Sequence, residues 1–133
     1  MLERFRGSET LLVADDEPIV LSLARSILSR YGYQVIPAAD GREALELCMS
    51  RQAVIDLLLT DVVMPRMNGP ELAHSVKEIN GDVRCIFMSG YDPDHLKNHG
   101  AQKLGCDFLK KPFTPEGLLR KVRETLDAEK PNP

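Results

Sequence analysis

At 133 residues, with 17 basic and 20 acidic side chains and a formal charge of −3, the chain is sized for one domain and lacks the basic surplus of a nucleic-acid binder. Its 43% hydrophobic content is that of a globular protein, yet no apolar run approaches the ~20 residues of a membrane span, and the first seven residues have no signal-peptide core. A cytoplasmic domain is expected, with Cys48, Cys85 and Cys106, odd in number and far apart, read as small buried residues rather than disulfides or metal ligands.

Five short apolar runs alternate with five helical patterns, the signature of parallel βαβ units. The first run, 10–14, is followed by a helix opening at Pro18, with Val20, Leu23, Ala24, Ile27, Leu28 and Tyr31 on one face and Gly32 as its stop. Run 34–38 leads to a helix over 41–50 with Ala44, Leu45 and Cys48 inward. Run 55–60 leads through the loop Met64-Pro65-Arg66-Met67-Asn68-Gly69 to a helix over 70–79 with Leu72, Ala73, Val76 and Ile79 inward. Run 83–88 precedes the weakest pattern, 92–99, whose one strong apolar anchor is Leu96. Run 106–109 precedes a last helix over 115–128 that buries Leu118, Leu119, Val122 and Leu126. The runs are nearly uniformly apolar, as strands covered by helices on both faces should be. The domain is placed at 9–129, with an N-terminal extension at 1–8 and a tail at 130–133.

Ligands of open parallel sheets bind beyond the carboxyl ends of the strands. Here those ends carry Asp15-Asp16-Glu17, Asp61, Ser89-Gly90 and Lys110-Lys111-Pro112. Three aspartates converging at one edge would repel one another unless a cation shared the site, and oxygen donors without nearby histidine or cysteine favour a hard ion such as Mg2+. A carboxylate can act as nucleophile toward a phosphoryl group, with Mg2+ and a lysine neutralising the phosphoryl oxygens. The constellation therefore describes phosphoryl transfer onto aspartate, with Ser89 donating to one phosphoryl oxygen and Lys111 pairing with another. Taken singly, Asp16 or Ser89 reads more simply as a helix cap or turn residue. Several independent caps falling together on the strand ends is the less economical account. Lys110 reads as a solvated charge. His95 and His99, four apart, lack the further ligands that structural zinc requires.

The phrases LLVADDEP, LLLTDVVMPRMNGPEL, FMSGY and FLKKPFTPEGLLRKV closely resemble response-regulator receiver domains of two-component systems, and above all receivers of hybrid sensor histidine kinases. That resemblance implies an α/β, flavodoxin-like, doubly wound five-stranded parallel sheet of order 2-1-3-4-5 flanked by five helices. It also implies Asp61 as phosphoacceptor and Mg2+ held by Asp16, Asp61 and the backbone carbonyl of Val63, with Asp15 acting through a metal-bound water. Ser89 and Phe108 take the positions of the switch pair, Lys111 that of the lysine before proline, and the bond to Pro112 is expected to be cis. Serine for threonine at 89 keeps the donor. Phenylalanine for tyrosine at 108 removes a hydroxyl, leaving packing alone to drive the ring.

A phosphoacceptor rather than an enzyme with an external substrate is thus expected, partnered by a histidine kinase or histidine phosphotransfer domain. Aspartate phosphatases resemble Asp-x-Asp at the nucleophile, whereas Val62 and Val63 follow Asp61 here. A flavin carrier is disfavoured by the acidic loop after the first strand, and a degenerate scaffold by the completeness of the phosphorylation residues. The switching face, and a surface for self-association, is expected at the fourth helix, fifth strand and fifth helix. Val63 and Tyr91, two residues beyond Asp61 and Ser89, are expected to shield the phosphoryl group from water, with no direct nucleic-acid or membrane contact by this domain.

Overall fold

Alternation along the strands decides the layering. In β1 (Thr10–Ala14), Leu12 and Ala14 join one core cluster while Leu11 and Val13 join the other; β3 (Leu57–Asp61) and β4 (Arg84–Ser89) divide their side chains the same way. Both faces of these strands are therefore apolar and need covers, which fixes a three-layer α/β architecture. The computed structural model describes residues 2–50, 54–90 and 105–128. With β2 (Gln34–Ala38) and β5 (Asp107–Lys110) the sheet is parallel throughout, in the order β2-β1-β3-β4-β5. Proline at position 37 is tolerated because β2 lies at the edge.

Among the described residues two helices cover each face. α1 (Pro18–Arg30) and the C-terminal helix (Pro115–Asp127) bury Ala24, Ile27, Leu28, Leu118, Leu119 and Val122 against one side. α2 (Gly41–Ser50) and α3 (Gly69–Ile79) bury Ala44, Cys48, Leu72, Ala73 and Val76 against the other. Each fully buried leucine contributes roughly 1.5–3 kcal/mol, so the central triplet Leu57, Leu58 and Leu59 alone outweighs most surface interactions. α1 stops at Gly32, whose φ of 101° suits a left-handed cap and whose missing side chain leaves room for the carbonyl of Gly7.

Segment 2–9 is tied to this body. Leu2–Phe5 forms a 3-10 turn that buries the Phe5 ring beneath Arg4 and Arg120, at 4.8 and 5.8 Å from its centroid. The Tyr33 hydroxyl donates to the Phe5 carbonyl at 2.6 Å, and Arg123 reaches both Glu9 and Asp127.

Some inward expectations do not hold. Leu23 is 47% exposed because it stands beside an open cleft, and Ile79 is 50% exposed as the last residue of α3, where the helix ends. At the end of the C-terminal helix Thr125 is buried and Leu126 only partly so; the Thr125 hydroxyl donates to Asp107, and the Arg84 guanidinium holds the carbonyls of both residues. Cys106 is half-buried rather than buried. The helix expected over 92–99, together with Tyr91, His95, His99 and the tail 130–133, lies outside the described residues.

Candidate functional site

Neighbouring connections leave the sheet in opposite directions on either side of β1, and the crevice this opens lies between the carboxyl ends of β1 and β3. Asp15 continues β1 by donating its N–H to Ala38, while Asp61 closes β3 in register with Met88, and Ser89 closes β4 opposite Lys110. The N–H of Lys111 donates to the Ser89 carbonyl at 2.8 Å, which sets the lysine directly beyond β5. The Lys111–Pro112 peptide is cis.

The loop after β3 is folded back tightly. The N–H of Gly69 donates to the Val62 carbonyl at 2.8 Å, and a Cβ at position 69 would collide with the Asp61 carbonyl, so only glycine fits. Asn68 and Glu71 cap α3 reciprocally, which fixes the far end of the same loop. Arg66, at φ 70°, is held 3.3 Å from Asp40.

These elements bring Asp15, Asp16 and Asp61 together, with one carboxylate oxygen of each within 4.8 Å of the others. Lys111 Nζ sits among the acidic groups, 2.7 Å from Asp15 Oδ2, 3.3 Å from Glu17 Oε1 and 3.5 Å from Asp61 Oδ2. Asp15 is fully buried; its Oδ1 accepts the N–H of Glu17, while its Oδ2 has no partner in hydrogen-bond geometry among the described residues and forms an ion pair with Lys111 Nζ at 2.7 Å. Asp61 Oδ1 accepts the N–H of Val62 at 2.9 Å.

Burial pushes the Asp61 carboxyl up to about 6, reinforced by Asp15 and Asp16 and opposed by Lys111 and the Val62 N–H. For Lys111 burial works downward, but contact with Asp15 and the charges of Asp61 and Asp15, with Glu17 adding to them, hold the ammonium above its ordinary value. Among the described residues one ammonium thus leaves three aspartates undercompensated. A buried carboxylate oxygen lacking a hydrogen bond, beside two further oxygen donors, fits a hard divalent ion such as Mg2+.

A cleft of about 470 Å3 opens over this cluster, lined by Asp61, Ser89 and Lys111 and rimmed by Val20, Leu23, Val63 and Phe113. Val63 is 61% exposed on that rim, and Ile19 on α1 is also exposed. Phe108 is half-buried on the opposite side, packed against the α2 and α3 cluster, and does not line the cleft. Lys110 is exposed. The residue that sequence reading left without a role is Glu17, which shares Lys111 with the aspartates; its place directly after the acidic pair was the available signal.

A family model described as the response regulator receiver domain matches residues 11–123. The chain is 37% identical over 124 residues to sensor kinase CckA of Brucella abortus (strain 2308), covering 92% of this chain but 13% of that protein. It is 34% identical to response regulator MprA of Mycolicibacterium vanbaalenii, covering 92% of this chain and 52% of the relative, so it spans about half or less of the length of these curated proteins. Among solved structures, the receiver domain from hybrid histidine kinase CckA is 35% identical with a TM-score of 0.75, over 89% of this chain and 99% of that one. A CheY-like receiver from Methanospirillum hungatei JF-1 is 30% identical with a TM-score of 0.80, over 91% and 95%.

Proposed function

This chain belongs to the response regulator receiver domain family, and on that premise we propose that Asp61 accepts a phosphoryl group from the phosphohistidine of a histidine kinase or histidine phosphotransfer domain. The observation that carries this reading is the gathering of Asp15, Asp16 and Asp61 at one sheet edge, with Lys111 against Asp15 and Asp61, beneath an open cleft. An Asp61 carboxylate oxygen attacks phosphorus, the new P–O bond forms as the donor's P–N bond breaks, and the imidazole leaves with a proton. Lys111 shifts from the carboxylates toward the phosphoryl oxygens, and Ser89 donates a hydrogen bond to one of them. Asp16, Asp61 and the Val63 carbonyl would hold Mg2+, with Asp15 acting through a bound water. When bound, the ion neutralises charge on the phosphoryl oxygens.

The exposed apolar side chains of Leu23 and Val63 on the rim suit a protein donor whose own side chains cover the cleft during transfer. Such a donor places the domain in the cytoplasm; among the described residues no helix is long and apolar enough to cross a membrane. The receiver unit is assigned to 9–129, flanked by segments 1–8 and 130–133, and a place within a hybrid kinase accords with the CckA likeness. Phosphorylation is read out through Ser89 and Phe108 on the face that the second half of the domain presents, which can also mediate self-association.

The test is incubation with acetyl phosphate and Mg2+, followed by intact mass and site mapping. One added phosphoryl group, on Asp61, is expected; modification elsewhere, or none while a known receiver labels in parallel, overturns the reading.

The lifetime of the phosphorylated form depends on a water reaching phosphorus in line with the bond to Asp61. Val63 stands on the rim of that approach and its side chain cannot hold a water; Tyr91 is assigned the same shielding role from the sequence. Val63→Asn should therefore speed loss of the phosphoryl group by roughly three- to tenfold, a change of about 0.7–1.4 kcal/mol in the barrier. Decay followed by mass after donor removal measures it, and an unchanged rate removes Val63 from the shielding role.

A further inference from the structure

Three thiols stand outside the chemistry described so far, and two of them lie on adjoining strands. Cys85 lies in β4, and Cys106 immediately precedes β5. Pairing of these strands begins with Ile86 opposite Asp107, so the residues one step earlier, Cys85 and Cys106, face each other across the sheet. Neighbouring strands run ~4.8 Å apart, within the ~4.4–6.8 Å that a disulfide spans between Cα atoms. Cys85 belongs to the core cluster on one sheet face, and Cys106 packs against that same cluster. They differ in access: Cys85 is 3% exposed, whereas Cys106 is only half-buried.

We propose that Cys85 and Cys106 form an oxidisable dithiol that closes to an intramolecular disulfide when a peroxide reaches the domain. The half-buried Cys106 reacts first: its sulfur attacks one peroxide oxygen, the O–O bond breaks, and the departing hydroxide leaves with the thiol proton as water. Cys85 then attacks the sulfur of the resulting sulfenic acid. The S–S bond forms as the S–O bond breaks, and the Cys85 proton leaves with the departing hydroxide as a second water. Two thiols and one peroxide thus give one disulfide and two waters. At 3% exposed Cys85 does not itself meet the oxidant, so Cys106 is the point of entry and Cys85 the thiol that closes the bridge beside it.

Disulfides in a reducing compartment are commonly transient and sensory, which suits a pair that can open and close. The bridge would fasten β5 to β4 at its start, two residues before Phe108 and five before Lys111. Cys48, buried on α2, serves as the internal reference thiol.

The full chain is treated with hydrogen peroxide under native conditions, capped with N-ethylmaleimide in denaturant, digested and weighed. The expected product is one peptide pair joining Cys85 to Cys106, lighter by two hydrogens, reversed by dithiothreitol, with Cys48 still capped. Cys85→Ser should instead drive Cys106 on to the sulfinic acid, and Cys85→Ala supplies the same comparison if the serine hydroxyl unfolds the core. Full capping of both cysteines after peroxide has oxidised a control dithiol protein overturns the proposal. So does a crosslink that engages Cys48 or joins two chains.

Discussion

Asp61→Asn should take up no phosphoryl group from acetyl phosphate and, in metal-free buffer near neutral pH, should be more stable than the wild type. Both effects come from one carboxyl group. Its folded value of about 6 stands well above the ~3.9 of an unfolded aspartate, so folding favours the protonated form. Below about pH 4 both states of the wild type are protonated and Asp61 imposes no cost. As pH rises from about 4 to about 6 the unfolded chain ionises while the folded one resists, and wild-type stability falls; above about 6 the full penalty is in place. A two-unit displacement corresponds to at most about 3 kcal/mol, and because the carboxylate borders an open cleft, solvent screening lowers the expected advantage of asparagine to about 1–2 kcal/mol. Urea midpoints for both proteins across this range, with and without Mg2+, give the answer. The gap should close toward acid pH, and Mg2+ should narrow it at neutral pH by stabilising the wild type more. An Asp61→Asn protein that is less stable than wild type above pH 6 would show that the carboxylate is already compensated.

Lys111→Met should cost about 3 kcal/mol of stability in chelator, since the change strips a fully buried Asp15 of the ammonium 2.7 Å away and leaves its Oδ2 without a counterpart. Mg2+ should then restore most of the loss. Removing a positive charge from beside the cluster also strengthens the attraction for a second cation, so the variant should bind Mg2+ more tightly than wild type while handling the phosphoryl group worse. Thermal unfolding against Mg2+ concentration separates these effects. If Mg2+ bound more weakly to the variant, the lysine would be a support of the metal site rather than its electrostatic competitor.

Much of this arrangement is legible in the order of residues. Uniformly apolar runs ending in Asp15-Asp16, Asp61, Ser89 and Lys111 announce a parallel sheet with polar groups along one edge, because a strand covered on both faces has nowhere else to place them. The strand ends shift by one residue, since backbone pairing continues through Asp61 and Ser89 although their side chains break the apolar pattern. Helical periodicity could not tell that Leu23 borders a cleft or that Thr125 displaces Leu126, because both depend on what the neighbouring elements leave open. Nor could spacing show that Cys85 faces Cys106. Their opposition depends on the register of two strands separated by a long connection, a property of pairing rather than of local sequence. Glu17 was visible as a third acidic residue, but its sharing of Lys111 emerges only from the placement of β5 beside the site.

The family match begins at residue 11, yet Phe5 shares a core cluster with Leu118 and Leu119, and its carbonyl satisfies the buried hydroxyl of Tyr33. Segment 2–9 therefore acts less as a leader than as a mechanical strap. The Arg123 guanidinium grips Glu9 at 2.6 Å and Asp127 at 2.8 Å, so the stretch where the chain enters the domain and the helix through which it leaves are fastened by a single side chain. A pull on segment 2–9 reaches the C-terminal helix through that fastening without first crossing the sheet, and a cut made where the family match begins would remove it.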